Sequence, residues 1–161
     1  MGSQQLLLDF HERCHRSLQR YLEHCRVLSD EELDRELEGF GYPTARLQLH
    51  HVIGAERYWV SVLRGEMDAS EDEADAASID ALERFRQSVF EMTRSWLGET
   101  PEEKLIAART VTTFGGHERS LAPVHVILRT QTHLFHHMGQ IAAMCRLLGH
   151  PIPEGMDFPI L

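Results

Sequence analysis

Apolar residues recur at threes and fours along most of the chain, the period of an amphipathic helix. Leu7, Phe10, Cys14, Leu18, Tyr21, Cys25 and Leu28 predict a first helix from Gln4 to about Leu28. Ser29-Asp30-Glu31-Glu32 has the spacing of a capping box and is followed by Leu33 and Leu37, then Gly39, Gly41 and Pro43, which predicts a short helix and a turn. A second long helix is expected from Thr44, its N-cap, to Gly65, just past its end. A third follows from a Ser78 cap to about Gly98, with Ile79, Leu82, Phe85, Val89, Met92 and Trp96 on one face. The last runs from about Ala122, with Pro123 in its first turn, to Leu148 before Gly149, roughly 40 Å at 1.5 Å per residue.

Two stretches break the pattern. Glu66 to Asp80 carries seven acidic residues and no Lys or Arg, which reads as a solvated crossover. Thr100 to Ser120 is less regular: a capped turn at Thr100–Glu103 is plausible, and the β-prone Thr110–Phe114 ends at Gly115-Gly116, so an extended loop is expected. The elements together predict an all-α four-helix bundle with long crossover connections, one domain over residues 1–161.

Composition narrows the classes of function. The net charge is −9, Lys occurs once, as Lys104, and the arginines are scattered along helices of mixed sign, so no basic footprint for nucleic acid is visible. No apolar run reaches the roughly 18 to 20 residues that span a bilayer, and no basic stretch followed by an apolar one opens the chain, so a cytoplasmic protein away from membranes is expected. Cys14, Cys25 and Cys145 are odd in number and lack metal-knuckle spacing, which reads as buried free thiols.

The one compositional excess with chemical content is histidine, at 11 residues. In His133-Leu134-Phe135-His136-His137-Met138-Gly139-Gln140, His133 and His137 are four apart and so lie on one side of a helix about one turn apart, where two imidazoles can converge on one ion. They sit at the margin of an apolar arc of Ile127, Leu128, Phe135, Met138, Ile141, Cys145 and Leu148. His136 turns to the polar flank with Arg129 and Thr132. On the second long helix, His51 aligns with Leu47, Ala55, Tyr58 and Val62 and faces inward, while His50 aligns with Arg46, Arg57, Ser61 and Arg64 and faces outward. One inward imidazole plus the pair gives three nitrogen ligands from two helices, the count of a catalytic divalent site with a fourth position open. His11 and His15 have the same spacing on the first helix, and spacing alone does not choose between the pairs. Glu12 and His15 form a single ExxH, whereas a carboxylate-bridged di-metal bundle needs two.

The segments His51-Val52-Ile53-Gly54-Ala55-Glu56-Arg57-Tyr58-Trp59 and His133 to Ile141 resemble the two signature segments of the DinB/YfiT-like metalloenzyme family. Leu148-Gly149-His150-Pro151 and Asp157-Phe158 are similar to that family's carboxyl end. The resemblance implies a four-helix bundle with a divalent metal held by His51, His133 and His137, with Zn or Ni the leading ions. It also implies a homodimer and, by analogy with relatives, a thiol-dependent S-transferase or isomerase using a low-molecular-weight thiol such as bacillithiol or mycothiol with an electrophile. Gly139, costly in mid-helix, suggests close approach of a neighbouring helix, and Gln140 is placed to bond a ligand imidazole or a metal-bound water. Tyr58 and Trp59 read as packing residues and Glu56 as an exposed ion-pair partner.

Three neutral imidazoles leave an ion's charge intact, so a bound thiol or water would ionise more readily. The sequence offers no general base beside the triad, which favours a thiol over metal-assisted hydrolysis. A non-catalytic, stress-associated metal bundle is the alternative. It would be marked by a fourth protein ligand, for which His11, His15 and His125 are the candidates.

Overall fold

The computed structural model describes residues 2–160. Six helices form in chain order with a β-hairpin between the last two: α1 Ser3–Cys25, α2 Asp30–Leu33, α3 Ala45–Arg64, α4 Ile79–Glu99, α5 Glu102–Ile106, β1 Arg109–Thr113, β2 His117–Leu121 and α6 Pro123–Leu147. The four long helices make an all-α bundle. In it α3 packs on α4 and α6, and α1 packs on the same two, so α1 faces α3 across one diagonal and α4 faces α6 across the other.

The helix ends follow from local chemistry. Ser29 and Glu32 close a reciprocal capping box on α2. Thr44 accepts from the Leu47 amide at the start of α3, and Ser78 accepts from the Ala81 amide at the start of α4. Gly65 ends α3 at φ 81°, a left-handed conformation that costs other residues a Cβ clash. α1 stops at Cys25, three residues short of the expectation, because Arg26 to Leu28 bond back as tighter turns.

The core is one large cluster around Leu18, Leu22, Leu49, Ile53, Leu82, Leu134, Met138 and Ile141, with a smaller one of Leu7, Val60, Leu63, Leu97, Leu105, Val126 and Ile127 towards the hairpin. Cys14, Cys25 and Cys145 are buried free thiols. Phe158 folds the carboxyl end back onto Phe10 and Phe135. Among the described residues no helix is long and apolar enough to cross a membrane.

One of the two irregular connections differs from the expectation. Residues 100–120 are not an extended loop: α5 is followed by an antiparallel hairpin pairing Arg109 with Leu121 through Thr113 with His117. Gly115 and Gly116 make the turn at φ 78° and 76°, and the alternation of exposed and buried residues in β1 is the strand period hidden in a short polar stretch. The acidic crossover is largely exposed, as expected, but it is also tied down. Arg57 of α3 reaches Asp68 and Asp75 at 3.7 and 3.6 Å and bonds the Ser70 carbonyl, and Glu73–Ala76 forms a 3₁₀ turn against α3 and α4.

Candidate metal centre

The expected triad assembles. α3 carries His51 and α6 carries His133 and His137, and the close packing of these two helices brings the three rings within 4.4 to 5.3 Å, centroid to centroid. One ligand atom from each lies within 4.8 Å of the others. His51 Nε2 and His133 Nε2 are 3.2 Å apart. Two lone pairs do not face each other at that distance without a proton or a cation between them, and two nitrogens bound to one ion at the tetrahedral angle stand roughly 3.3 Å apart.

The tautomer of His137 can be argued from its partner. Gln48, one turn before His51 on α3, faces the Tyr42 carbonyl, which only accepts, so the atom there is its NH₂. The same NH₂ donates to Gln140 Oε1 at 2.8 Å, leaving Gln48 Oε1 to accept from His137 Nδ1–H. His137 Nε2 therefore keeps its lone pair. An outer partner that fixes a ligand ring in this way is the usual companion of a metal-binding imidazole. Tyr42 also stacks on His51 at 3.9 Å, holding that ring from its face.

Electrostatics keep the ligands uncharged. Burial, and then the neighbouring imidazoles, push His133 and His137 down to about 4, and burial pushes His51 down against the opposing pull of Glu71. Near neutral pH the triad presents three unprotonated rings. This donor set fits a divalent ion of borderline softness.

His136 lies on the exposed flank, as expected, and its Nε2 accepts from Gln140 Nε2 at 2.8 Å. Several other expectations need correcting. Gln140 acts on the site through Gln48 rather than directly. No helix approaches Gly139, which is exposed, and a Cβ there would meet nothing within 4 Å. His50 is not outward, because its ring packs on Phe85 of α4 at 5.4 Å. Leu47 and Leu128, assigned to apolar faces, are 43% and 40% exposed. An ideal helix ranks these residues by angle alone, whereas the neighbour of α3 on its far side is α4, which draws His50 in.

Glu56 is the largest departure. It is 3% exposed, not a surface ion-pair partner. Its carboxylate meets His11 Nε2 at 2.9 Å and His15 Nε2 at 3.0 Å, forming a second, wholly buried group. Burial would raise its pKa, but His15 and His11 hold it well below the usual carboxylate range. His11 and His15 therefore face Glu56 and not the triad, and His125 is exposed on the first turn of α6. None of the three supplies a fourth ligand. Glu12 is exposed and belongs to neither group. Sequence reading missed Gln48 and Glu56 as site-supporting residues; the only signal was a polar side chain on the buried face of α3.

Beside the triad lies a cavity of about 340 Å³ lined by His51 and His133 together with Tyr58, Trp59, Arg129 and Glu71. The Arg129 guanidinium lies over the Trp59 ring at 5.4 Å, and the Tyr58 hydroxyl accepts from the Phe114 amide, tying the hairpin to α3.

An all-α bundle with three convergent, uncharged imidazoles beside a cavity defines a helical-bundle protein with a candidate mononuclear metal centre. The chain belongs to the DinB family, whose sequence profile matches residues 2–160, essentially its whole length. No curated protein matches it.

Proposed function

We propose that this DinB protein binds one divalent ion through His51, His133 and His137 and uses it to activate a low-molecular-weight thiol for transfer to an electrophile. The supporting observation is the combination of three neutral imidazoles at the wall of a cavity with, among the described residues, no fourth protein ligand and no carboxylate bonded to any of them. A divalent ion so held lowers the pKa of a thiol or water at its open position. The chain's own residues then position and shield. Gln48 and Tyr42 fix two of the rings, Trp59 and Tyr58 offer an apolar wall, and Arg129 and Glu71 offer one charge of each sign to a polar substrate. In the transfer, sulfur forms a bond to carbon while the leaving group departs with its electron pair, and the thiol proton passes to solvent before attack. Hydrolysis is the alternative reading: the same ion would ionise a bound water, and Glu71 and Arg129 on the cavity wall would face its substrate.

Elemental analysis of protein purified without a chelating column tests this reading. One divalent ion per chain is expected in the wild type and less than a tenth of that in His137→Ala, followed by consumption of thiol and electrophile by the loaded wild type alone. A wild type that carries no metal and takes up none at micromolar Zn or Ni overturns it.

A further inference from the structure

The second histidine group has the residues of a metal site, and its hydrogen bonds argue for something else. Glu56 lies near the bundle axis and is reached from all the other long helices. His11 and His15 come from α1, Thr93 Oγ1 from α4 donates at 2.7 Å, and Gln131 Nε2 from α6 donates at 3.1 Å. An ionised carboxylate offers about four lone-pair sites, and these four donors use them, two on each oxygen.

An ion on the two Nε2 atoms would require hydrogens on both Nδ1 atoms and acceptors for them. His15 Nδ1 instead faces Arg86 Nη1 at 3.4 Å, a group that only donates, and His11 Nδ1 is buried with no partner among the described residues. His137 in the triad has the opposite pattern, with its Nδ1–H placed on Gln48.

We infer that Glu56 is a positioning residue for the triad: a metal-free, hydrogen-bonded lock on the bundle axis that fixes the rotation of α3 against α6. Glu56 is five residues after His51 on the same helix, and Gln131 is two residues before His133. A roll of about 10° in either helix moves an imidazole nitrogen, roughly 6 Å from the axis, by about 1 Å. That is more than a metal constellation tolerates. The lock acts on the site of the proposed function, and the experiment separates the two readings.

Metal-free wild type, Glu56→Gln, the milder Thr93→Val and a control, Leu105→Ala, are compared. Leu105 is fully buried on α5, a helix that contributes to neither group. Co(II) titration should give one ion per wild-type chain and an affinity about ten-fold weaker in Glu56→Gln, with an altered ligand-field spectrum. Thr93→Val should move in the same direction by less. Leu105→Ala should stay within two-fold of wild type despite an equal or larger fall in Tm. Histidine-ring ¹H–¹⁵N spectra of the metal-free proteins are the second readout: the His51 and His133 signals shift in Glu56→Gln and not in Leu105→Ala. A second Co(II) lost on His11→Ala overturns the lock, as does a loss of affinity that simply follows Tm in all variants. If the wild type binds no Co(II), the proposed function fails. The ring spectra then judge the lock alone, and unshifted His51 and His133 signals in Glu56→Gln overturn it.

Discussion

Gln48 carries more of the candidate site than its place in the sequence suggests. Its amide links the Tyr42 carbonyl, Gln140 and His137, so replacing it with Leu of similar size removes the acceptor from the His137 Nδ1–H without opening a cavity. Gln48→Leu is expected to weaken metal binding 10- to 100-fold, measured by competition with a chromophoric chelator. Unchanged affinity would mean that the ring is oriented by packing alone. The triad also predicts a pH dependence. His133 and His137 resist protonation down to about 4, against 6.5 when free, so between those values the unfolded chain binds more protons than the folded one. The metal-free protein should therefore keep its full stability above about 6.5 and lose it as pH falls towards 4. Urea midpoints in the presence of a chelator check this, and a flat profile across that window would contradict the burial of the rings.

At the scale of elements, the helix boundaries were legible where a side chain or a glycine terminates the backbone ladder. Thr44, Ser78, Ser29 with Glu32, and Gly65 stand where their chemistry put them. Thr44→Ala should cost about 1 kcal/mol, seen as a lower urea midpoint at unchanged slope, because the Leu47 amide loses its cap. The hairpin was not legible as such. Five-residue strands of Thr, Arg and His carry little apolar alternation, and pairing depends on the partner strand and on the Tyr58 hydroxyl beneath the turn. The orientations of His50, Leu47 and Leu128 failed for a related reason: angular position on a helix says which residues share a face, while the neighbours decide which face is covered.

For the molecule as a whole, the acidic crossover links charge to the site. Its Asp68, Ser70 and Glu71 line the cavity, and Arg57 holds the segment down through Asp68 and Asp75. Arg57→Ala should release it: amide exchange over residues 66–77 is expected to accelerate at least ten-fold, while Tm moves by only a few degrees. Exchange rates equal to wild type would show that the 3₁₀ turn at Glu73–Ala76 anchors the segment unaided.

The sequence by itself determined the bundle and put the triad forward as a candidate, because both rest on local periodicity: apolar residues at helical spacing, and His133 and His137 one turn apart with His51 on a second helix. Its family-like segments pointed to the same three residues. Only the tertiary structure tells the two HxxxH pairs apart: His133 and His137 meet a third imidazole, whereas His11 and His15 meet a carboxylate. That difference depends on what faces each ring across the bundle, Gln48 for His137 and Glu56 for His11 and His15. Hydrogen-bond partners distant in sequence set the tautomers, and a one-dimensional pattern contains no term for them.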